Sequence, residues 1–87
     1  MDKKQVKLFF KIGDKEVLER GFKKLKLTDE ELKISIKLTK EWSEEMIAQE
    51  MNMSKRTIQR RKKKIYEKVF ETLNGWEELE EKIKGGN

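Results

Sequence analysis

The chain has 87 residues, 34% of them apolar and 45% charged, with 22 Lys and Arg against 17 Asp and Glu for a net charge of +5. That length suits one small domain with a thin core, burying only ~60% of the surface it exposes when unfolded. With no Cys and no His there is no disulfide framework, thiolate, imidazole base or zinc-finger ligand set, so no enzyme, metal site or cofactor is expected.

Leu, Ile, Val and Phe number 22, about a quarter of the chain and above the ~20% line of disordered chains. Residues 1–12 fit two periods. Val6, Leu8, Phe10 and Ile12 alternate as in a strand, whereas Val6, Phe9, Phe10 and Gly13 share a helix face. In either form the adjacent Phe9 and Phe10 make the segment apolar enough to dock. Gly13-Asp14 is a break with Asp14 as an N-cap. Val17, Leu18, Gly21, Phe22 and Leu25 then recur at helical spacing and predict a helix over about 15–26. Thr28-Asp29-Glu30-Glu31 is a capping box: Thr28 caps, Glu31 reaches back, and the acids sit at the positive end of the helix dipole. The helix it opens is predicted to run to about residue 40, with Leu32, Ser35, Ile36 and Thr39 on one face and Ile34 and Leu38 widening it.

Ser43 caps the next start, with Glu44 and Glu45 in the first turn, and a helix over about 44–51 turns Ile47, Ala48 and Met51 inward. Ala48 is the only alanine in the chain and falls where two helices need a close approach. Asn52 suits the left-handed conformation that ends a helix. Met53 plugs the turn, and Ser54 is a third cap. From Lys55 the stripe Ile58, Ile65, Val69, Leu73 continues for about five turns and stops at Asn74-Gly75. Trp76, Leu79 and Ile83 form a short last stripe before a fraying Gly85-Gly86-Asn87. Met46, Met51 and Met53 read as core filler. No proline interrupts these segments. The predicted fold class is all-α, a small domain of about four to five helices. It divides into an N-terminal segment 1–27 with one helix, a core 28–73, and a short C-terminal helix and tail 74–87.

Charge is patchy. Residues 55–64 hold seven bases and no acid, residues 29–50 hold seven acids against three bases, and the first 26 residues hold nine bases against four acids. A basic stripe this dense is the electrostatic footprint of a polyanion partner.

A short helix, a turn at Asn52-Met53-Ser54 and a longer helix form a helix-turn-helix arrangement over 43–66. Ile47, Ala48, Met53, Ile58 and Ile65 are its predicted structural core. Stepping 100° per residue from a buried Ile58 puts Ile65 about 20° away and Arg56, Arg60 and Lys63 roughly 140–160° away. Gln59 lies near 100° on one flank and Lys64 near 120° on the other. Arg reads guanine and Gln reads adenine, so Arg56, Gln59, Arg60 and Lys63 are the candidate base readers. Ser43, Ser54, Lys55, Thr57, Lys62 and Lys64 are the candidate phosphate contacts.

The residues Thr28-Asp29-Glu30-Glu31-Leu32, Trp42 to Ala48, Met51 to Ser54, Thr57-Ile58 and Ile65 to Val69 resemble the LuxR-type and sigma-factor region-four helix-turn-helix. The resemblance covers 28–70, half the chain, and departs at Arg61, where a His is common. The chain is also similar to small phage regulators of late genes, of the ArpU and RinA type. The resemblance implies sequence-specific double-stranded DNA binding and transcription control in a bacterial or phage-encoded cytoplasmic protein. The charged start Met1-Asp2-Lys3-Lys4, with no apolar block behind it, also predicts an intracellular chain.

Three other readings use the same residues. A DNA-packaging or replication adaptor of the terminase small-subunit kind would carry the same motif. An interaction module would turn the basic face to RNA polymerase. A basic helix on a membrane surface is the weakest, because the outer face of 55–65 has no aromatic anchor and no run nears the ~20 apolar residues of a span. A homodimer is expected through residues 1–12 or the stripe Trp76, Leu79, Ile83, because helix-turn-helix proteins often read paired half-sites.

Overall fold

The computed structural model describes residues 3–73, and among them there are five helices and no strand: α1 Lys3–Phe10, α2 Lys15–Leu25, α3 Asp29–Thr39, α4 Glu44–Glu50 and α5 Lys55–Leu73. The expected C-terminal helix and tail 74–87, with Trp76, Leu79 and Ile83, lie outside the described residues. Among the described residues no helix is long and apolar enough to cross a membrane.

Residues 3–10 resolve their two competing periods as helix, so the N-terminal segment carries two helices rather than one. The strand reading requires Leu8 on the same side as Val6 and Phe10. Instead Leu8 is 37% exposed, while Val6, Phe9 and Phe10 are buried. Aromatic packing selects this arrangement. Phe9 meets Phe10 edge-on at 5.2 Å and Phe22 edge-on at 5.8 Å, and Phe10 stacks on Tyr66 of α5 at 5.6 Å. Each such pair adds about 0.5–1.5 kcal/mol beyond the area it buries.

The cap signals act as the sequence implies. Asp14 Oδ1 accepts from the amides of Glu16 and Val17 at the start of α2. In the capping box of α3, Thr28 Oγ1 accepts from the Glu31 amide at 3.1 Å, and Glu31 Oε1 accepts from the Thr28 amide at 3.0 Å. Ser43 Oγ accepts from the Met46 amide and Ser54 Oγ from the Thr57 amide, opening α4 and α5. These bonds satisfy amides that a helix start otherwise leaves unpaired.

The buried face of α3 is rotated from the expected one. Glu31, Ile34 and Ser35 are buried, whereas Ile36 is 40% exposed. Ile36, Leu32 and Thr39 instead line an apolar groove shared with Leu18, Phe22 and Leu27. The rotation buries Ile34 completely and brings the Glu31 carboxylate to Lys68 of α5. Met51 and Met53 pack on the core as expected, but Met46 is half exposed.

α5 is the spine. Its stripe Ile58, Ile65, Val69 and Leu73 is buried, and α1, α2, α3 and α4 all pack on it. One continuous core therefore runs from Val6 and Phe9 through Val17, Leu25, Ile34 and Ile47 to Leu73.

Candidate nucleic-acid interface

The turn between α4 and α5 is short because three residues each do one job. Asn52 takes a left-handed φ of 56°, which a short polar side chain tolerates. The Met53 amide returns to the Ala48 carbonyl at 2.9 Å. Ser54 caps α5, and its hydroxyl also shares a 2.9 Å hydrogen bond with Thr57 Oγ1. Ala48, buried with Ile47, leaves room for α5 to cross closely. The predicted structural residues Ile47, Ala48, Ile58 and Ile65 are all buried, and Met53 packs against them.

Burial of Ile58 and Ile65, both at 0% exposure, fixes the rotation of α5. Arg56, Gln59, Arg60 and Lys63 are exposed as a consequence, together with Lys55 and Lys64. Thr57 and Lys62 are half-buried on the flanks.

Acids from α3 and α4 sort the bases of α5 into two sets, a feature that pattern reading did not anticipate. Arg61 Nε sits 2.6 Å from Glu30 Oε1, a charge contact off the hydrogen-bond axis. Lys62 Nζ is 3.8 Å from Glu44 Oε2, and Lys55 Nζ donates to Glu45 Oε1 at 3.4 Å. Lys68 Nζ donates to Glu31 Oε1. These four bases are engaged by the protein's own acids. Among the described residues, Arg56, Arg60, Lys63 and Lys64 have no acidic partner. The sequence signal was there in the acid-rich 29–50, but which acid meets which base depends on how the helices cross.

Two of the candidate phosphate contacts, Lys55 and Lys62, are therefore engaged inside the chain. The Lys62 ammonium also lies 5.5 Å from the centre of the Tyr66 ring. Burial pushes the Tyr66 hydroxyl above its ordinary value and the nearby Glu44 carboxylate adds to this, so the phenol keeps its proton. Ser43 Oγ already accepts a capping bond and retains one hydroxyl proton to donate, whereas Ser54 Oγ accepts a capping bond and shares its second hydrogen bond with Thr57 Oγ1.

The two flanks of α5 differ. On one side Thr57, Arg60, Arg61 and Lys64 enclose a concavity of about 350 Å³. Lys64 on its rim, with no acidic partner among the described residues, suits a phosphate oxygen, whereas Arg61 on the same rim is already engaged by Glu30. On the other side Gln59 Nε2 donates to Glu44 Oε1 at 3.5 Å, so this flank is held to α4.

No protein-family model, no curated protein and no solved structure matches this chain.

Proposed function

We propose that the protein binds double-stranded DNA sequence-specifically, with residues 55–65 of α5 in the major groove, and that it controls transcription at the bound site. One observation carries this reading: the chain's own acids engage Lys55, Arg61 and Lys62 of α5 and leave Arg56, Arg60 and Lys63 exposed without acidic partners among the described residues. A helix decorated with bases only for solubility has no reason to segregate them this way. The helix diameter fits the ~12 Å major groove. Arg56 and Arg60 supply bidentate donors for guanine, Gln59 suits adenine, and Lys64 on the flank beside Arg60 reaches the adjoining phosphate. The transcriptional role rests on the resemblance of 28–70 to LuxR-type and sigma-factor region-four motifs.

The test is fluorescence anisotropy of labelled duplexes across a salt series, with a selected-site pool and a scrambled duplex. Affinity is expected to fall with salt at a log–log slope of several units, as for several phosphate contacts, with the selected site bound tighter. Equal affinity for both duplexes rejects sequence reading, and no binding at low salt rejects the proposal. Transcription in vitro from a template bearing the selected site then tests the regulatory role.

A further inference from the structure

Glu44 stands at the first turn of α4, beside the basic helix, and faces two side chains of that helix at once. Gln59 Nε2 donates to its Oε1 at 3.5 Å, and Lys62 Nζ lies 3.8 Å from its Oε2. A carboxylate only accepts hydrogen bonds, so it selects one of the two flips of the Gln59 amide. The nitrogen must face Glu44, and the carbonyl oxygen must face away from it.

The chemistry of the amide then sets what Gln59 can read. Of the two Nε2 protons, the one remote from Oε1 serves Glu44. The other lies on the same side as Oε1 and remains available. Oε1 and that proton together form an acceptor–donor pair, which matches the N6 amino group and N7 of adenine in the major groove. Guanine shows two acceptors at O6 and N7, and would meet the Gln59 oxygen with its own.

We propose that Glu44 is a positioning residue that holds the amide of Gln59 in the one flip that matches adenine and keeps it from turning its NH2 alone toward guanine. The inference rests on the DNA-binding reading of α5 and adds the specificity of one position to it. Glu44 contributes no attraction of its own to DNA. Its charge opposes the phosphates and occupies Lys62, so its removal acts in opposite directions on affinity and on specificity. A merely structural role for Glu44 would weaken both together.

The experiment compares wild type, Glu44→Ala, Glu44→Gln, Gln59→Ala and the Glu44→Ala/Gln59→Ala double variant by binding-site selection and by anisotropy on duplexes differing at one base pair. Circular dichroism checks that each variant folds, and Glu44→Gln keeps the side-chain length should the alanine variant unfold. Wild type is expected to prefer adenine over guanine at one position by about tenfold, within the range of a bidentate contact. Glu44→Ala is expected to bring that ratio within about twofold while binding scrambled duplex at least as tightly, with the salt slope up to about one unit steeper as Lys62 is released. Glu44→Gln is expected to lose the preference too, because an amide accepts or donates and no longer fixes the flip. Gln59→Ala is expected to abolish the preference, and adding Glu44→Ala to it should change the base ratio no further. Should Glu44→Ala or Glu44→Gln retain the adenine preference, or Gln59→Ala leave it intact, the inference is overturned and DNA binding through α5 survives. A wild-type protein with no duplex affinity overturns the DNA-binding reading itself.

Discussion

Lys68 Nζ lies 2.7 Å from Glu31 Oε1 across 37 positions of sequence. The same carboxylate closes the capping box of α3 on the Thr28 amide. A local helix-start signal and a long-range strut are thus one side chain, and the start of α3 is anchored to the C-terminal half of α5. Burial pushes the Glu31 carboxyl up, but the hydrogen bonds from Lys68 and Thr28 and the Lys68 charge outweigh it and hold the group below its ordinary value of 4.5.

A carboxyl held low in the folded state adds stability that is present in full above its ordinary value and fades as pH falls through the folded value. Wild type should therefore lose more stability than Glu31→Gln between about pH 6 and about pH 3, measured by urea unfolding. Identical pH slopes would remove the strut from the account. Lys68→Ala is expected to cost about 1 kcal/mol, below the range of a charge-assisted bond because the ammonium keeps solvent contact.

Ser35 is buried in α3, and its Oγ has no hydrogen-bond partner among the described residues. A hydroxyl sealed away from water without a partner is destabilising, and alanine fills nearly the same volume. Ser35→Ala should raise the unfolding free energy by about 1 kcal/mol. A loss of stability would mean that the hydroxyl is satisfied in solution.

Ile58 faces the core directly beneath the basic side of α5. Ile58→Ala is expected to cost about 2–5 kcal/mol by thermal or urea unfolding, because it leaves a cavity where four helices converge on α5. In so small a domain that change removes much of the total stability. A cost under 1 kcal/mol would place Ile58 outside the core.

On the outer side the expected pattern reverses. Arg60→Ala should leave stability within about 0.5 kcal/mol while discrimination at one base pair drops by about 1–3 kcal/mol. Lys64→Ala should weaken selected and scrambled duplexes alike and reduce the salt slope by about 1. If both variants weaken every duplex equally, Arg60 contacts phosphate and reads nothing.

Lys26 ends α2 with a left-handed φ of 52°. Glycine takes that conformation without a Cβ penalty, so Lys26→Gly should stabilise the chain by about 1 kcal/mol, seen as a higher Tm.

Much of this fold was legible in short sequence signals. Asp14, Thr28, Ser43 and Ser54 each mark a helix start through a hydroxyl or carboxyl that bonds amides two or three residues on, and Asn52 marks the turn. Ile58, Ile65, Val69 and Leu73 reveal the buried side of α5 because their spacing alone sets it. Residues 3–10 were not legible, since the choice between strand and helix was made by Phe22 and Tyr66, distant rings that receive Phe9 and Phe10. The rotation of α3 was hidden for a similar reason: an acid, Glu31, is buried there and meets Lys68 of α5. The engagement of Lys55, Lys62 and Gln59 by Glu45 and Glu44 was likewise beyond periodicity, because it depends on the crossing of α4 over α5.

α5 serves at once as keel and as fingertip. Its inner edge cannot drift without sinking the molecule, yet among the described residues Arg56, Arg60 and Lys63 make no ion pair to another helix, and Gln59 has its one tether to Glu44. A handful of codons on alternate turns can therefore change while the hull does not register it.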